Sequence, residues 1–339
     1  MSDTNMLTLL AVESSCDETA AAVVRRMTDG TLQILSSQVN SQIELHARFG
    51  GVVPEIASRA HAEAISSLVT QAIALAQAPK LDGVCVTAQP GLIGSLLVGV
   101  NFAKGYAFAN NLPLCPVHHI RAHVAASYFL PQPPVPPFLA LVASGGHTSL
   151  LLVRGYTDYE TIGRTRDDAI GEAYDKVARV MGIPYPGGAE MDRLAAQGDP
   201  QAYAFPSAAI RDDSLDFSFS GLKTAVINTL HRFEQRDASY ERADIAASVS
   251  RVVCESVCKK TQTALQRYAL DTMVLAGGVA ANTQLRAALG SLCNSMGVRF
   301  CVPEKALCTD NAAMVGAQGI YEFLAGVRAG TDLNASAAD

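Results

Sequence analysis

Apolar and polar positions along the chain fall into a pattern that occurs twice. The stretch "LTLLAVESSCDETAAAVV", from Leu7, reads as an apolar strand, a tight polar turn and a second apolar strand. The pattern returns in "PFLALVASGGHTSLLLV", from Pro137, where the turn is rich in Ser, Gly and Thr. Two hairpins of one design, each opening one half of the chain, predict duplicated lobes. The proline-rich "PQPPVPP", Pro131 to Pro137, fits neither a helix nor a central strand and marks the joint. We therefore expect an N-terminal lobe over 1–135 and a C-terminal lobe over 136–339, with the last helix a candidate to pack back on the first lobe.

Between these landmarks lie stretches with helical character: "EIASRAHAEAISSLVTQAIALAQ" after Pro54, "SLLVGVNFAKGYAFANN" after Gly94, "AIGEAYDKVARVMG" and "ADIAASVSRVVCESVCKKTQTALQRYAL". A third glycine turn follows a buried strand in "MVLAGGVAANTQLRAAL", where a helix is expected from about Asn282. Mixed strands and helices make the class α/β. Glycines at a strand-to-helix turn let a ligand approach the backbone and leave helix amides open to anions, which points to a nucleotide pocket. The chain has no Gly-x-x-x-x-Gly-Lys-Ser/Thr and no Gly-x-Gly-x-x-Gly, so the P-loop and dinucleotide readings lose their main support.

Composition narrows the picture further. With 339 residues the chain can fill two cores, and 49% hydrophobic against 17% charged residues argues for a folded protein. No apolar run reaches the roughly 18 residues of a membrane span, and "MSDTNMLTLLAVESS" lacks the basic start and cleavage site of a leader, so a cytoplasmic location is expected. The eight cysteines never form Cys-x-x-Cys and mostly lie in apolar runs, which favours buried free thiols. Cys254 and Cys258 stand one helical turn apart without another ligand nearby in sequence, so core packing is the preferred reading. The net charge of −6 gives no support for broad nucleic-acid binding; such a partner needs a local basic patch or a helper protein.

Three of the seven histidines crowd into "PVHHIRAHVAA". On a helix only His119 and His123 share a face, and two imidazoles one turn apart suit a single metal ion. A packed or surface pair without metal fits the spacing equally well. Asp310 in "LCTDNAAMVG", between a strand-like segment and a helix, is the best third ligand by type, and two His with one Asp would leave positions open for substrate or water. A metalloprotease is disfavoured because Ile120 stands where that mechanism needs a glutamate. In "ESSCDET", Glu13, Asp17 and Glu18 are placed to orient a phosphate, activate a nucleophile or merely cap the turn. The turn "VASGGHT" offers the backbone amides and hydroxyl of Ser144, Gly145 and Gly146 to a phosphate.

Ten ordered motifs, "ESSCDET", "GGVVPEIASRAH", "PGLIGSLLVG", "HHIRAH", "LVASGGHT", "GEAYDKVAR", "YPGG", "FSFSGLKTA", "AGGVAAN" and "CTDNAAM", cover almost the whole chain. Together they resemble the bacterial tRNA N6-adenosine threonylcarbamoyltransferase family (TsaD). The resemblance implies a two-lobed actin/sugar-kinase/Hsp70-like (ASKHA) fold with duplicated ribonuclease H-like lobes. It implies transfer of a threonylcarbamoyl group from threonylcarbamoyl-adenylate to N6 of adenosine 37, in tRNAs reading codons that begin with A, with release of AMP. It also implies one divalent metal ion, iron first and zinc second, on His119, His123 and Asp310. Val142, Ala143, Ser144, Gly145, Gly146, Asp175, Gly188 and Asn282 match substrate or nucleotide positions, and Asp17 and Glu18 match acidic positions assigned to catalysis. Implied partners are tRNA, a shorter paralogue of the same fold (TsaB-like) and a P-loop ATPase (TsaE-like).

Each carried-over residue has a plainer role beside it. Asp175 could pair with Arg179 one turn on, worth about 0.5 kcal/mol. Gly188 could be only a turn, His118 only a cap, and "FSFSGLKTA" only lobe packing. The chain departs from many bacterial relatives at Arg121-Ala122, where Glu-Gly is usual, and at Ala143, where Val is usual. Two other function classes share the fold: a kinase or carbamoyltransferase acting on a small molecule, and a catalytically silent scaffold. The histidine pair is unexplained by the first, and the intact glycine turns by the second.

Overall fold

Burial on both faces makes the apolar runs into sheet centres. A computed structural model describes residues 6–210 and 212–338; the first five residues of the stretch read for a leader lie outside the described residues. The strands are β1 (Leu7–Glu13), β2 (Glu18–Arg26), β3 (Leu32–Ser41), β4 (Gly83–Gln89), β5 (Leu114–His118), β6 (Phe138–Ala143), β7 (Thr148–Gly155), β8 (Asp158–Arg164), β9 (Thr272–Ala276) and β10 (Arg299–Cys301). The helices are α1 (Ile43–Ala47), α2 (Pro54–Leu75), α3 (Ile93–Ala109), α4 (His119–Ala125), α5 (Ile170–Val180), α6 (Gly188–Ala195), α7 (Ser220–Gln235), α8 (Arg242–Tyr268), α9 (Thr283–Met296) and α10 (Ala312–Leu324).

The two sheets have one topology. The first is ordered β3-β2-β1-β4-β5 and the second β8-β7-β6-β9-β10. In each, the opening hairpin is antiparallel and the later strands join in parallel beside its first member. The duplicated hairpins of the sequence therefore head duplicated ribonuclease H-like sheets. The chain divides into two compact units, Met1–Pro133 with Gly155–Asp158 and Thr309–Asp339, and Pro134–Arg154 with Tyr159–Cys308.

In the first unit, alternation along the strands sorts side chains to two faces. Leu10 and Val12 of β1 and Val23 of β2 pack with Ile65 and Val69 of α2 and Val100 of α3. On the other parity, Val24 and Ala11 meet Gly316 of α10, where a built Cβ would stand 2.5 Å from the Val24 side chain. In the second unit, Leu139 and Leu141 of β6 share a core with Val177 of α5, Val253 of α8 and Leu285 of α9. Cys254 is buried there and Cys258 packs against the same core; all eight cysteines are free. Among the described residues no helix is long and apolar enough to cross a membrane.

Local differences from the sequence reading have local causes. The approach to Asp310 is a 3-10 turn, Lys305–Leu307, not a strand. A 3-10 turn, Gly278–Ala281, also intervenes between β9 and α9, because Gly277 at φ +90° redirects the chain. "FSFSGLKTA" opens a helix, α7, whose first turn is capped from a distance. Asp167 accepts from the amides of Phe219 (2.7 Å) and Ser220 (3.1 Å), and from the hydroxyls of Ser220 and Ser218.

Candidate functional site

The chemistry-bearing side chains stand at the carboxyl ends of the parallel strands, where open α/β sheets place their ligands. In the first unit, β5 ends at His118, whose Nδ1 accepts the Ile120 amide at 3.2 Å and so caps α4. His118 thus plays the capping role. The short helix then carries His119 and His123 on one face, both buried, with ring centroids 4.6 Å apart. Asp310 precedes the N-cap of α10, Asn311, whose side chain accepts the Met314 amide at 2.9 Å.

His119, His123 and Asp310 come together as a group able to hold a metal ion, with one ligand atom from each lying within 4.8 Å of the others. Asp310 Oδ1 lies 3.7 Å from His119 Nε2 and 3.2 Å from His123 Nε2. Those two distances bracket the roughly 3.4 Å expected between ligand atoms on a tetrahedral ion with bonds near 2.1 Å. His123 is decisive, because both its ring nitrogens are buried without a hydrogen-bond partner; the short approach to Asp310 is not aligned as a hydrogen bond. An orphaned buried imidazole costs stability unless something binds it. The donor set and the unbonded His123 Nε2 beside Asp310 therefore fit a bound cation, which takes one nitrogen of the ring.

Glu13, at the end of β1, adds what such a site needs behind its ligands. Its Oε2 lies 3.1 Å from His119 Nδ1 and accepts the Thr87 hydroxyl at 2.7 Å, while Oε1 accepts the Ser15 amide at 2.5 Å. Ser15 Oγ is also 3.1 Å from His119 Nδ1. In the neutral ring a proton on Nδ1 serves Glu13 and leaves the Nε2 lone pair toward Asp310, the carboxylate–histidine arrangement common behind metal ligands. Burial works against the charged imidazole of His119, but the carboxylates of Asp310 and Glu13 outweigh it and push its pKa up to about 9. Glu13 is moved down: burial opposes this, and the His119 charge prevails.

The hairpin turn after β1 is held from several sides. Gly91 lets the chain after β4 lie against it, a built Cβ standing 2.6 Å from the Ser15 carbonyl, which accepts the Leu92 amide at 2.8 Å. Asp17 is 9% exposed, and its carbonyl accepts the Gln42 amide at 3.0 Å. Glu18 is pushed up to about 10 by burial, then by the charges of Asp310 and Asp17. With no ion at Asp310 the protonated form of the Glu18 carboxyl is thus favoured, and its Oε1 accepts the Ser41 hydroxyl at 3.4 Å. Burial likewise pushes up the Cys16 thiol, with the charges of Asp17 and Asp310 adding to it, which favours the neutral thiol.

In the second unit the glycine turn between β6 and β7 closes with Ser144, whose amide donates to the His147 carbonyl at 2.8 Å and whose hydroxyl accepts the His147 amide at 3.0 Å. Gly145 and Gly146 are exposed, with open space where side chains would stand. Val142 and Ala143 are fully buried in β6, where Val142 pairs with Ser149 of β7 and Ala276 of β9 and Ala143 with Thr148, so neither presents a side chain to a ligand. Gly171 at the start of α5 packs on the turn, its amide donating to the Ser144 carbonyl at 3.2 Å. Asp175, further along α5, accepts the amides of Gly187 (2.7 Å) and Gly188 (3.2 Å), and burial pushes its pKa up in spite of those bonds. Asn282 caps α9 through the Leu285 amide at 2.8 Å, which leaves its amide nitrogen as the group for a ligand.

Ser15 and Thr87 are the parts of this site that the sequence reading did not assign, and Glu13, which it named only as a carboxylate of the acidic turn, stands behind His119. Their only signal was the acidic turn itself, since Glu13 and His119 are 106 positions apart.

Comparison with known proteins adds an independent line. A family model described as "TsaD: tRNA N6-adenosine threonylcarbamoyltransferase" matches residues 33–317. A tRNA N6-adenosine threonylcarbamoyltransferase of Staphylococcus epidermidis is 47% identical over 333 residues, covering 98% of this chain and 96% of the relative. One from Halalkalibacterium halodurans is 50% identical over 328 residues, covering 96% and 94%. Among solved structures, full-length HypF in a phosphate- and nucleotide-bound form superposes with a TM-score of 0.62 at 14% identity, over 98% of this chain and 47% of that one. That likeness supports the fold alone, which is of the actin-like ASKHA type.

Proposed function

The chain belongs to the tRNA N6-adenosine threonylcarbamoyltransferase family, and on that premise we propose that it takes its acyl group from threonylcarbamoyl-adenylate and releases AMP. The acceptor is N6 of adenosine 37 in tRNAs that read codons beginning with A. The amine nitrogen bonds to the carbamoyl carbonyl carbon, the bond from that carbon to the phosphate oxygen breaks, and AMP leaves with the electron pair. One proton is lost from the amine. Glu18, whose protonated form is favoured, serves as a donor to the developing charge, and the acceptor role falls to Asp17.

His119, His123 and Asp310 would hold one divalent metal ion, iron first and zinc second. When bound, it supplies a Lewis acid to a carbonyl or phosphate oxygen. Glu13, Ser15 and Thr87 fix the His119 ring. Ser144, Gly145 and Gly146, with the backbone of Val142 and Ala143, hold the nucleotide phosphate, while Asp175, Gly188 and Asn282 hold the threonyl and adenosine parts. The partners are tRNA, a shorter paralogue of the same fold and a P-loop ATPase, all in the cytoplasm. The orphaned imidazole of His123 carries the reading, because neither a small-molecule kinase nor a scaffold of this fold needs it.

The test is nucleoside mass spectrometry of unmodified tRNA incubated with preformed threonylcarbamoyl-adenylate, this protein and the two partners. Wild type should form threonylcarbamoyladenosine, with His123→Ala and Asp310→Ala at least about 100-fold slower. Equal product from all three would remove the metal group from the mechanism. No product from wild type with active partners would remove the transferase reading.

A further inference from the structure

The motif "GGVVPEIASRAH" contains a histidine that the reaction outlined above does not use. His61 of α2 is fully enclosed, as is His46 of α1. The hydrogen bonds around them fix every proton. A carbonyl oxygen only accepts, so the 3.0 Å contact from His61 Nε2 to the Cys16 carbonyl places the ring proton on Nε2. Burial pushes His61 down, so the ring is neutral and Nδ1 is an acceptor. It receives the Thr19 hydroxyl at 2.7 Å and faces the Gln42 amide nitrogen at 3.4 Å. The Gln42 oxygen in turn meets His46 Nε2 at 3.1 Å, and His46 Nδ1 accepts the Val53 amide at 3.3 Å. Donors and acceptors agree along the whole chain of contacts, which joins α1, α2 and β2 to one carbonyl of the acidic turn.

That carbonyl sits between two residues of the site. Ser15 precedes it and contacts His119 Nδ1 at 3.1 Å; Asp17 follows it. We propose that His61 is a positioning residue for the transfer reaction: by donating from Nε2 to the Cys16 carbonyl it sets the direction of Ser15 toward His119 and of Asp17 toward the substrates. The inference rests on the role given to that turn under the proposed function. A displacement of the turn by about 1 Å is enough to lower a rate about 100-fold.

The variants that separate this from general packing are His61→Gln and His61→Asn. Glutamine carries its amide nitrogen close to where Nε2 stands and keeps the donation to Cys16. Asparagine reaches only the Nδ1 position. The assay is threonylcarbamoyladenosine formation with both partners present, read as kcat and KM for threonylcarbamoyl-adenylate, together with zinc affinity by competitive titration and the thermal midpoint. His61→Asn should lose about 100-fold in kcat with little change in KM, and His61→Gln should recover most of the loss. Equal rates in the two variants, or losses that follow the thermal midpoint, would overturn the proposal.

Should His61→Asn not fold, Thr19→Val serves instead. It removes the hydroxyl that donates to Nδ1 and holds the ring in place, and should lower kcat about tenfold; a wild-type rate in folded Thr19→Val counts against the proposal. Should wild type make no product, the transferase reading fails on its own account. The zinc arm then decides His61, because Ser15 contacts a proposed ligand: His61→Asn should bind zinc about tenfold more weakly and His61→Gln should not. Equal zinc affinities would sink it.

Discussion

Glu13→Gln tests the arrangement behind the metal group with a change of one atom. The wild-type carboxylate is completely buried and accepts from the Ser15 amide and the Thr87 hydroxyl, with His119 Nδ1 at 3.1 Å. Glutamine keeps one oxygen and replaces the other with an N–H donor. If that nitrogen faces the Ser15 amide, two donors oppose each other in the core. If it faces His119, it donates to Nδ1 and drives the ring proton to Nε2, the atom turned toward Asp310. Both outcomes misdirect the ring, a loss set against the gain from removing a charge that favours its protonation, and the net worth of partners of this kind is about 10- to 100-fold in affinity, or about 1.4–2.7 kcal/mol. The assay is zinc titration in competition with a chromophoric chelator at fixed pH and salt, with Asp310→Asn as the reference for loss of a direct ligand. A folded Glu13→Gln protein whose zinc affinity stays within about twofold of wild type, beside a large loss in Asp310→Asn, would refute the role of Glu13.

Three further outcomes follow from the geometry. Because His119 is pushed up to about 9, metal binding at neutral pH must displace its proton, so affinity should rise about tenfold per pH unit toward that value. Calorimetry in buffers of different ionisation enthalpy should show about one proton released, and a release of zero would contradict the assignment. The Asp167 carboxyl is lowered, burial being outweighed by its bonds to Ser218, Phe219 and Ser220, so it stabilises the fold above its ordinary pKa of roughly 3.9 and loses that effect as pH falls below it. Asp167→Ala should therefore cost about 0.5–2 kcal/mol in urea unfolding at pH 7 and progressively less as pH falls below about 4, and a cost that does not change down to about pH 2 would refute the cap. Gly277→Ala puts a Cβ 2.4 Å from the Ala143 carbonyl at φ +90° and should lower stability by about 1–3 kcal/mol; an unchanged thermal midpoint would show that the β6–β9 ends can spread.

Some of this site was legible in the sequence, and the boundary has a physical form. His119 and His123 were readable because helix periodicity puts residues four apart on one face, and the helix formed where the spacing required it. The fold was readable because each opening hairpin is apolar on both faces, which only a sheet covered on two sides can satisfy. The element ends were less so, since the 3-10 turns at Lys305–Leu307 and Gly278–Ala281 obey backbone geometry and not a hydrophobic period.

What escaped the sequence is consistently a polar contact between distant segments. Asp167 caps a helix that starts 53 positions later, and Glu13 orients a histidine 106 positions away. Such a pair leaves no period and no spacing, because each partner is placed by its own strand end or turn and the bond is a consequence of the sheet order. The β4 and β5 strands pair in parallel beside β1. That order alone brings the ends at Glu13, Thr87 and His118 to one edge, from which α4 carries His119 back over Glu13. A direct ligand pair on one helix can be found without knowing the fold, whereas the residues that set its tautomer can be found only after it. For this chain the distinction is chemical as well: Asp310 first and Glu13 second favour the charged imidazole of His119 in the free protein, yet Glu13 on Nδ1 is also the group that would keep Nε2 open to a cation, so its contact opposes binding through the proton and favours it through the orientation.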